Sequence, residues 1–241
     1  MLHGYLLTIW GITMNYDVVY VLKDNPPTES LRYSLRSLQN FPHNKVWFVC
    51  GVPDGLVPDH QIRHEQKGAS NWQKSTSSVY QVCHEKELTD YFWLFNDDFF
   101  VMKPVESMKP VYNGTLYRRI QELEAKNLGK TLYSRELEKA YNLLNEKGYK
   151  TYNYAVHMPM LINKKKALKL INEYPSMASF RSLYGNIYKV GGVNRKDVKV
   201  LSHTEVPKNS VFLSTTDSSF DDGKVGEYIR SVFTEKSRFE I

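Results

Sequence analysis

The stretch Tyr91-Phe92-Trp93-Leu94-Phe95-Asn96-Asp97-Asp98-Phe99-Phe100 constrains this chain more than any other. Five residues of apolar and aromatic character, short enough for a buried strand, run directly into two adjacent carboxylates and then into more aromatics. Neighbouring anions at the end of a strand repel each other and raise one pKa unless a cation or strong donors neutralise them. A hard divalent cation held through oxygen, itself carrying a diphosphate, meets that need. So does a strand that simply stops at a solvated Asn-Asp-Asp turn, because these residues favour turns. On spacing alone both readings stand.

The elements around this stretch give it a setting. Asp17-Val18-Val19-Tyr20-Val21-Leu22 reads as a first strand, buried on both faces because its apolar residues are continuous rather than alternating. It ends at Lys23-Asp24-Asn25-Pro26-Pro27, after which Thr28 can cap a helix to about Gln39, with Glu29 in its first turn. Leu31, Leu35 and Leu38 mark the inner face of that helix, and Arg32 and Arg36 lie one turn apart on another. A second strand covers Val46 to Cys50, a short third Ile62 to Glu65, and a helix from about Trp72 to Glu87 leads into the acidic strand. Alternation of this kind predicts an α/β fold with a mostly parallel central sheet flanked by helices. Such sheets bind ligands outside the carboxyl ends of their strands, where Lys23, Gly51 and Asp97 are expected to cluster.

Beyond Pro110 the texture changes. Tyr117 to Lys126 and Ser134 to Lys147 are charged helix-forming runs, read as a helical insertion over about 112–150 that covers a sheet edge or the acceptor side of the cleft, or as a solvated hairpin. Val156 to Ile162 returns to strand chemistry, Lys164 to Tyr174 and Arg181 to Tyr188 read as helical, Val198 to Leu201 as a late strand, and Gly223 to Phe233 as a C-terminal helix. There is no internal repeat, so 1–241 is expected to be one domain, with 1–13 an extension of unknown role.

Charge and cysteine usage narrow the function classes. The net charge of +6 is spread among 26 acidic residues, which suits polyanionic ligands; no basic patch interleaved with aromatics points to a stable nucleic-acid partner. Cys50 and Cys83 have neither disulfide nor zinc spacing and read as reduced core thiols of a cytoplasmic protein. The apolar opening Met1 to Ile12 is too short to span a bilayer and lacks signal-peptide features.

Several blocks carry a resemblance to a known family. Asp17-Val18-Val19-Tyr20, Glu29 to Leu38 and Asn96-Asp97-Asp98-Phe99-Phe100 resemble the first two regions of the Stealth family, and His157-Met158-Pro159-Met160-Leu161-Ile162-Asn163-Lys164 resembles its His-x-Pro block. That family includes capsular polysaccharide phosphotransferases and the catalytic subunit of the lysosomal-enzyme GlcNAc-1-phosphotransferase. The chain is also similar, almost end to end, to short bacteriophage-encoded glycosyltransferases, the segments Phe212 to Phe220 and Gly226 to Arg230 included. The resemblance implies a GT-A-like, nucleotide-diphospho-sugar-binding fold, in the host cytoplasm if phage-encoded.

It also implies roles. Asp97 and Asp98 would hold Mn²⁺ or Mg²⁺ against the donor diphosphate, with Asp97 alternatively on ribose or sugar and His203 a further metal ligand. Lys23, Arg32, Arg36, Lys67, Asn71, Lys74, Asn96 and Arg181 are candidates for the donor side, although the chain departs from the family's Pro-Thr-Phe-Asn pattern around Lys67, Asn71 and Lys74. Arg32 can equally pair with an acidic neighbour. His157 is the candidate general base for the acceptor hydroxyl, against the ordinary alternative of a hydrogen-bonded core histidine. Asp217 either reaches the cleft or caps the helix beyond it. The expected activity is metal-dependent transfer of a sugar from a nucleotide-sugar, a UDP-sugar by preference, to a hydroxyl of a protein, a modified DNA base or a glycan. The alternatives are transfer of sugar-1-phosphate with release of a nucleoside monophosphate, and a nucleic-acid or glycan-binding module with a decayed site.

Overall fold

The computed structural model describes residues 15–23, 28–127, 129–177 and 179–241. The expected extension 1–13, the loop residues Asp24 and Asn25, and the side chain of Thr28 lie outside them. The first half of the chain runs β1 (Asp17–Val21), α1 (Thr28–Ser37), β2 (Val46–Val49), β3 (His60–Ile62), α2 (Asn71–Val82), β4 (Tyr91–Phe95) and β5 (Phe99–Val101). The second half runs β6 (Val111–Tyr112), α3 (Leu116–Lys126), α4 (Leu132–Glu146), β7 (Met160–Asn163), α5 (Lys164–Glu173), α6 (Phe180–Ile187), β8 (Val193–Asn194), β9 (Phe212–Ser214), α7 (Asp217–Asp221) and α8 (Lys224–Val232). Short polar side chains start several of the helices: Ser70, Thr115, Thr131 and Asn163 each accept a hydrogen bond from the first turn of α2, α3, α4 and α5 respectively.

The five-stranded sheet has the order β3-β2-β1-β4-β7, parallel throughout except for β7. The fold is therefore the mostly parallel α/β arrangement expected from the alternation of elements. β1 and β2 are covered on both faces, which is why their apolar residues are continuous. Alternate residues feed two cores: Val19, Phe92 and Leu94 face α2 to α6, and Val18, Tyr20, Trp93 and Phe95 face α1. Asp17 is fully buried at the start of β1, where Asn44, the Lys45 amide, the Trp47 indole and the Thr89 amide all donate to its carboxylate. It stitches β1 to its neighbours at the end of the sheet away from the acidic turn.

A third core was not expected. β5 pairs with β9 in a separate antiparallel ribbon, and Phe100, Met102, Val200, Leu213, Phe220, Val225, Ile229 and Phe233 form a cluster between that ribbon and α7 and α8. The two helices are in contact at Gly226, where a Cβ would stand 1.7 Å from the Phe220 carbonyl oxygen.

Several expected boundaries move for identifiable reasons. β3 lies at His60–Ile62 rather than 62–65, because His60 pairs with Trp47 in register and stacks on its ring at 4.1 Å. The strand expected from Val156 starts only at Met160: the His157 amide turns to Asp197, and Arg181 takes the Val156 and Met158 carbonyls. The expected late strand at Val198 to Leu201 is a single bridge, Lys199 to Ser214. α2 stops at Val82, and the carbonyls of Glu85 and Leu88 in the following turn accept from the Lys164 ammonium. Cys50 and Cys83 are both buried. Among the described residues no helix is long and apolar enough to cross a membrane.

Candidate active site

The carboxyl ends of β1 and β4 open into a cleft of about 340 Å³. Lys23 lies at the end of β1, Asn96 and Asp97 at the end of β4, Asn71 and Trp72 in the first turn of α2, and Arg181 in the first turn of α6. Two helix N-termini thus face the same space, an arrangement suited to anions. α4 supplies Tyr133 and Leu137, and Tyr133 stacks on Trp72 with ring centroids 4.7 Å apart. Of the helical pair after Pro110, α4 therefore walls the cleft, with α3 packed against it.

The acidic pair is set by the chain's sharp passage from β4 to β5. Asp97 is half-buried; burial, then the Asp98 charge, then Asp217 push its carboxyl up to about 6, against the opposing pull of a backbone amide and Lys23. Asp98 is held from the β9 side: its carbonyl accepts from the Thr215 amide, and its Oδ2 lies 3.1 Å from the ammonium of Lys199, which bridges to Ser214. Its Oδ1 is buried without a hydrogen-bond partner among the described residues, as are the Ser214 and Thr215 hydroxyl oxygens beside it on the partner strand. A carboxylate oxygen left so costs free energy unless a cation or water completes it.

His157 lines the same cleft in the irregular segment before β7. Asp197 grips it twice, accepting from its backbone amide at 3.1 Å and lying 2.8 Å from Nδ1. An ionised carboxylate only accepts, so Nδ1 carries the proton and Nε2 presents its lone pair. Burial alone would raise the Asp197 carboxyl, but the hydrogen bonds it accepts from the His157 side chain and amide and from the Val198 amide outweigh it and hold it below the usual range. Nε2 in turn lies 3.0 Å from the Lys199 ammonium, which completes a run from Asp197 through His157 and Lys199 to Asp98.

The other candidates divide. Lys23, Asn71, Asn96, Asp97, His157 and Arg181 come together, and Asp217 is close enough to act on Asp97 electrostatically while Thr216 caps α7. Arg181 is half-buried in the cleft wall, and its guanidinium is committed to the Leu94, Val156 and Met158 carbonyls and to Asn96 Oδ1. Burial pushes its pKa down to about 10, against the pull of Asp98 and Asp197. It fixes the two segments that carry Asn96 and His157 and has no donor pattern left open like that of a phosphate clamp. Arg36 departs from its expected donor-side place and Arg32 takes its other expected course, pairing with acidic neighbours: Arg32 binds Glu29 and Glu240, and Arg36 binds Glu240 at 2.7 and 2.8 Å, on the far side of α1 from the cleft. Lys67 is exposed and does not line the cleft, Gln66 being the neighbour that does. His203 lines a different, open groove with Lys208 and Tyr228, and Gly51 a third depression, so neither joins the acidic pair.

A divalent cation fits part of what is present. Among the described residues no three His, Cys, Asp or Glu side chains form a metal-holding group. Asp97 and the unpartnered Asp98 Oδ1 nevertheless make the kind of one- or two-carboxylate site that Mg²⁺ uses when substrate phosphates supply the rest.

No family model and no curated protein matches the chain. Solved structures do: the galactosyltransferase LgtC in complex with donor and acceptor sugar analogs is 12% identical, with 92% of this chain and 98% of that chain covered and a TM-score of 0.45. An active-site mutant of LgtC matches at 11% identity with the same coverage and TM-score. Similarity at that level assigns neither a family nor an activity.

Proposed function

We propose that the protein is a glycosyltransferase that moves a sugar from a nucleotide-diphospho-sugar to an acceptor hydroxyl. The observation that carries the reading is that one cleft is lined by both Asp97, at the acidic strand end, and His157, whose imidazole is oriented by Asp197 and joined through Lys199 to Asp98. The resemblance of the same blocks to nucleotide-sugar enzymes supports it.

In this reading Lys23, Asn71 and the N-terminus of α2 receive the donor. Asp97 and Asp98 would hold Mn²⁺ or Mg²⁺, which when bound supplies neutralisation of charge on the leaving phosphate. Asp197 keeps the proton on His157 Nδ1, so that Nε2 is the atom that takes the acceptor proton. Arg181 holds the backbone on both sides of the reaction space, and the stacked Trp72 and Tyr133 rings line one wall.

A panel of nucleotide-sugars with Mn²⁺ and simple hydroxyl acceptors, read by turnover and product mass, tests the reading. Release of a nucleoside diphosphate is expected. Release of a nucleoside monophosphate replaces glycosyl transfer by sugar-1-phosphate transfer at the same site, and metal-dependent donor turnover that survives both Asp97→Ala and Asp98→Ala overturns the placement of the site.

A further inference from the structure

We propose that Lys199 is a diphosphate-binding residue that, before the donor arrives, also caps the base. The inference rests on the nucleotide-sugar reading and adds to it the side chain that meets the leaving diphosphate and an order of events.

Lys199 Nζ lies 3.0 Å from His157 Nε2 and 3.1 Å from Asp98 Oδ2. Asp197 engages Nδ1, so Nε2 is the acceptor and the ammonium the donor. A lone pair held by an ammonium cannot take a proton from an acceptor hydroxyl. Lys199 must therefore leave Nε2 before chemistry, and some anion must draw it away. Asp98 already holds the ammonium in the present position. A diphosphate arriving beside Asp97 and Asp98 brings more negative charge and more acceptor oxygens than that single carboxylate oxygen.

The backbone permits a movement of the side chain alone. Lys199 bridges to Ser214, and the Val200 amide donates to the Ser214 carbonyl at 2.8 Å, so its main chain is fixed to β9. The stem above it is four flexible carbons ending in three donors. Arg181, which also lines the cleft, is committed to carbonyls and Asn96, and Arg32 and Arg36 lie away from the cleft on Glu240. Lys23 remains at the exposed rim.

With Lys199 on the diphosphate, the transfer balances within the site. The acceptor O–H proton passes to His157 Nε2, and the acceptor oxygen bonds to the anomeric carbon. The bond from that carbon to the β-phosphate oxygen breaks, and its electron pair leaves on the nucleoside diphosphate, where Lys199 faces the added charge. Donor binding thus uncovers the base, and acceptor deprotonation follows donor binding.

The test uses the full chain and two readouts. UDP, GDP, CDP, ADP and dTDP are titrated calorimetrically with Mg²⁺ into the wild type, Lys199→Met and Lys199→Arg. Loss of a charge-assisted contact is expected to weaken binding to Lys199→Met by about 10- to 100-fold, with Lys199→Arg within several-fold of wild type. In ¹⁵N-histidine-labelled protein, with His157 assigned through His157→Gln, the Nε2 resonance is expected to shift on diphosphate binding toward the position it already has in unliganded Lys199→Met. Equal affinity of wild type and Lys199→Met overturns the proposal, as does an Nε2 resonance that diphosphate leaves in place in the wild type; the latter holds even if Lys199→Met does not fold. A wild type that binds none of the five overturns the nucleotide-sugar reading itself, an outcome distinct from the other two.

Discussion

Replacing Glu240 by Gln separates a structural from a donor-binding role for the two arginines of α1. The Glu240 side chain is fully buried and receives Arg32, Arg36, the Ser237 amide and the Ser237 hydroxyl. Burial would raise its carboxyl, but the Arg36 hydrogen bonds, the Ser237 amide and Arg32 outweigh it and bring it from 4.5 to about 2. A carboxyl whose folded pKa is depressed contributes stability that is fully present above its unfolded pKa and is lost as pH falls through the folded one. The window here runs from about pH 4.5 down to about pH 2. The contribution is about 3 kcal/mol at pH 7 and about 1 kcal/mol at pH 3. Urea unfolding of wild type and Glu240→Gln at these two pH values is expected to show a stability gap near 3 kcal/mol that narrows to near 1. Nucleoside diphosphate affinity is expected to stay within about twofold, because the clamp lies away from the cleft. A gap that does not change with pH refutes the linkage. A large loss of diphosphate affinity in a folded Glu240→Gln would return Arg36 to the donor side.

Further outcomes follow from the same geometry. Asp197→Asn is expected to lower kcat by about 100-fold while leaving donor affinity unchanged, because it disturbs the tautomer of His157 and not the donor contacts; a change confined to KM contradicts the role. Asp98→Ala is expected to lower kcat by at least about 100-fold and to abolish any gain in diphosphate affinity on adding Mn²⁺, measured by calorimetry. Gly226→Ala, whose Cβ would collide with the Phe220 carbonyl, is expected to destabilise the fold by about 1–3 kcal/mol in chemical denaturation.

The central sheet was legible because burial on both faces writes itself into the chain as unbroken apolar runs, as in β1, β2 and β4. The acidic strand end and His157 were legible as well, the first from an anion pair after an apolar run and the second from its block. Their partners were not. Asp197 and Lys199 stand where the charged run Asn194-Arg195-Lys196-Asp197 meets the expected late strand Val198 to Leu201, a stretch with no motif of its own, and only the pairing of that segment with Ser214 brings it to residues 40 to 101 positions away. Spacing of charged residues on α1 showed that Arg32 and Arg36 share a side, but not that Glu240, more than 200 positions later, would cover it. The β5–β9 ribbon was missed for a similar reason: Phe99-Phe100-Val101 looks like a continuation of β4 until its partner at Phe212–Ser214 is known.

The third core, between the β5–β9 ribbon and α7 and α8, bears on how the protein would fail under heat. Lys199 is tied to that ribbon and Asp98 enters it, whereas Asn96 and Arg181 are anchored on the five-stranded sheet. The ribbon unit has its own small apolar cluster and can loosen as a cooperative block while the larger cores persist. Activity should then decline on warming several degrees before far-ultraviolet circular dichroism reports loss of helix and sheet. A temperature optimum below the melting transition would mark the seam between two packed units, with the working groups set astride it.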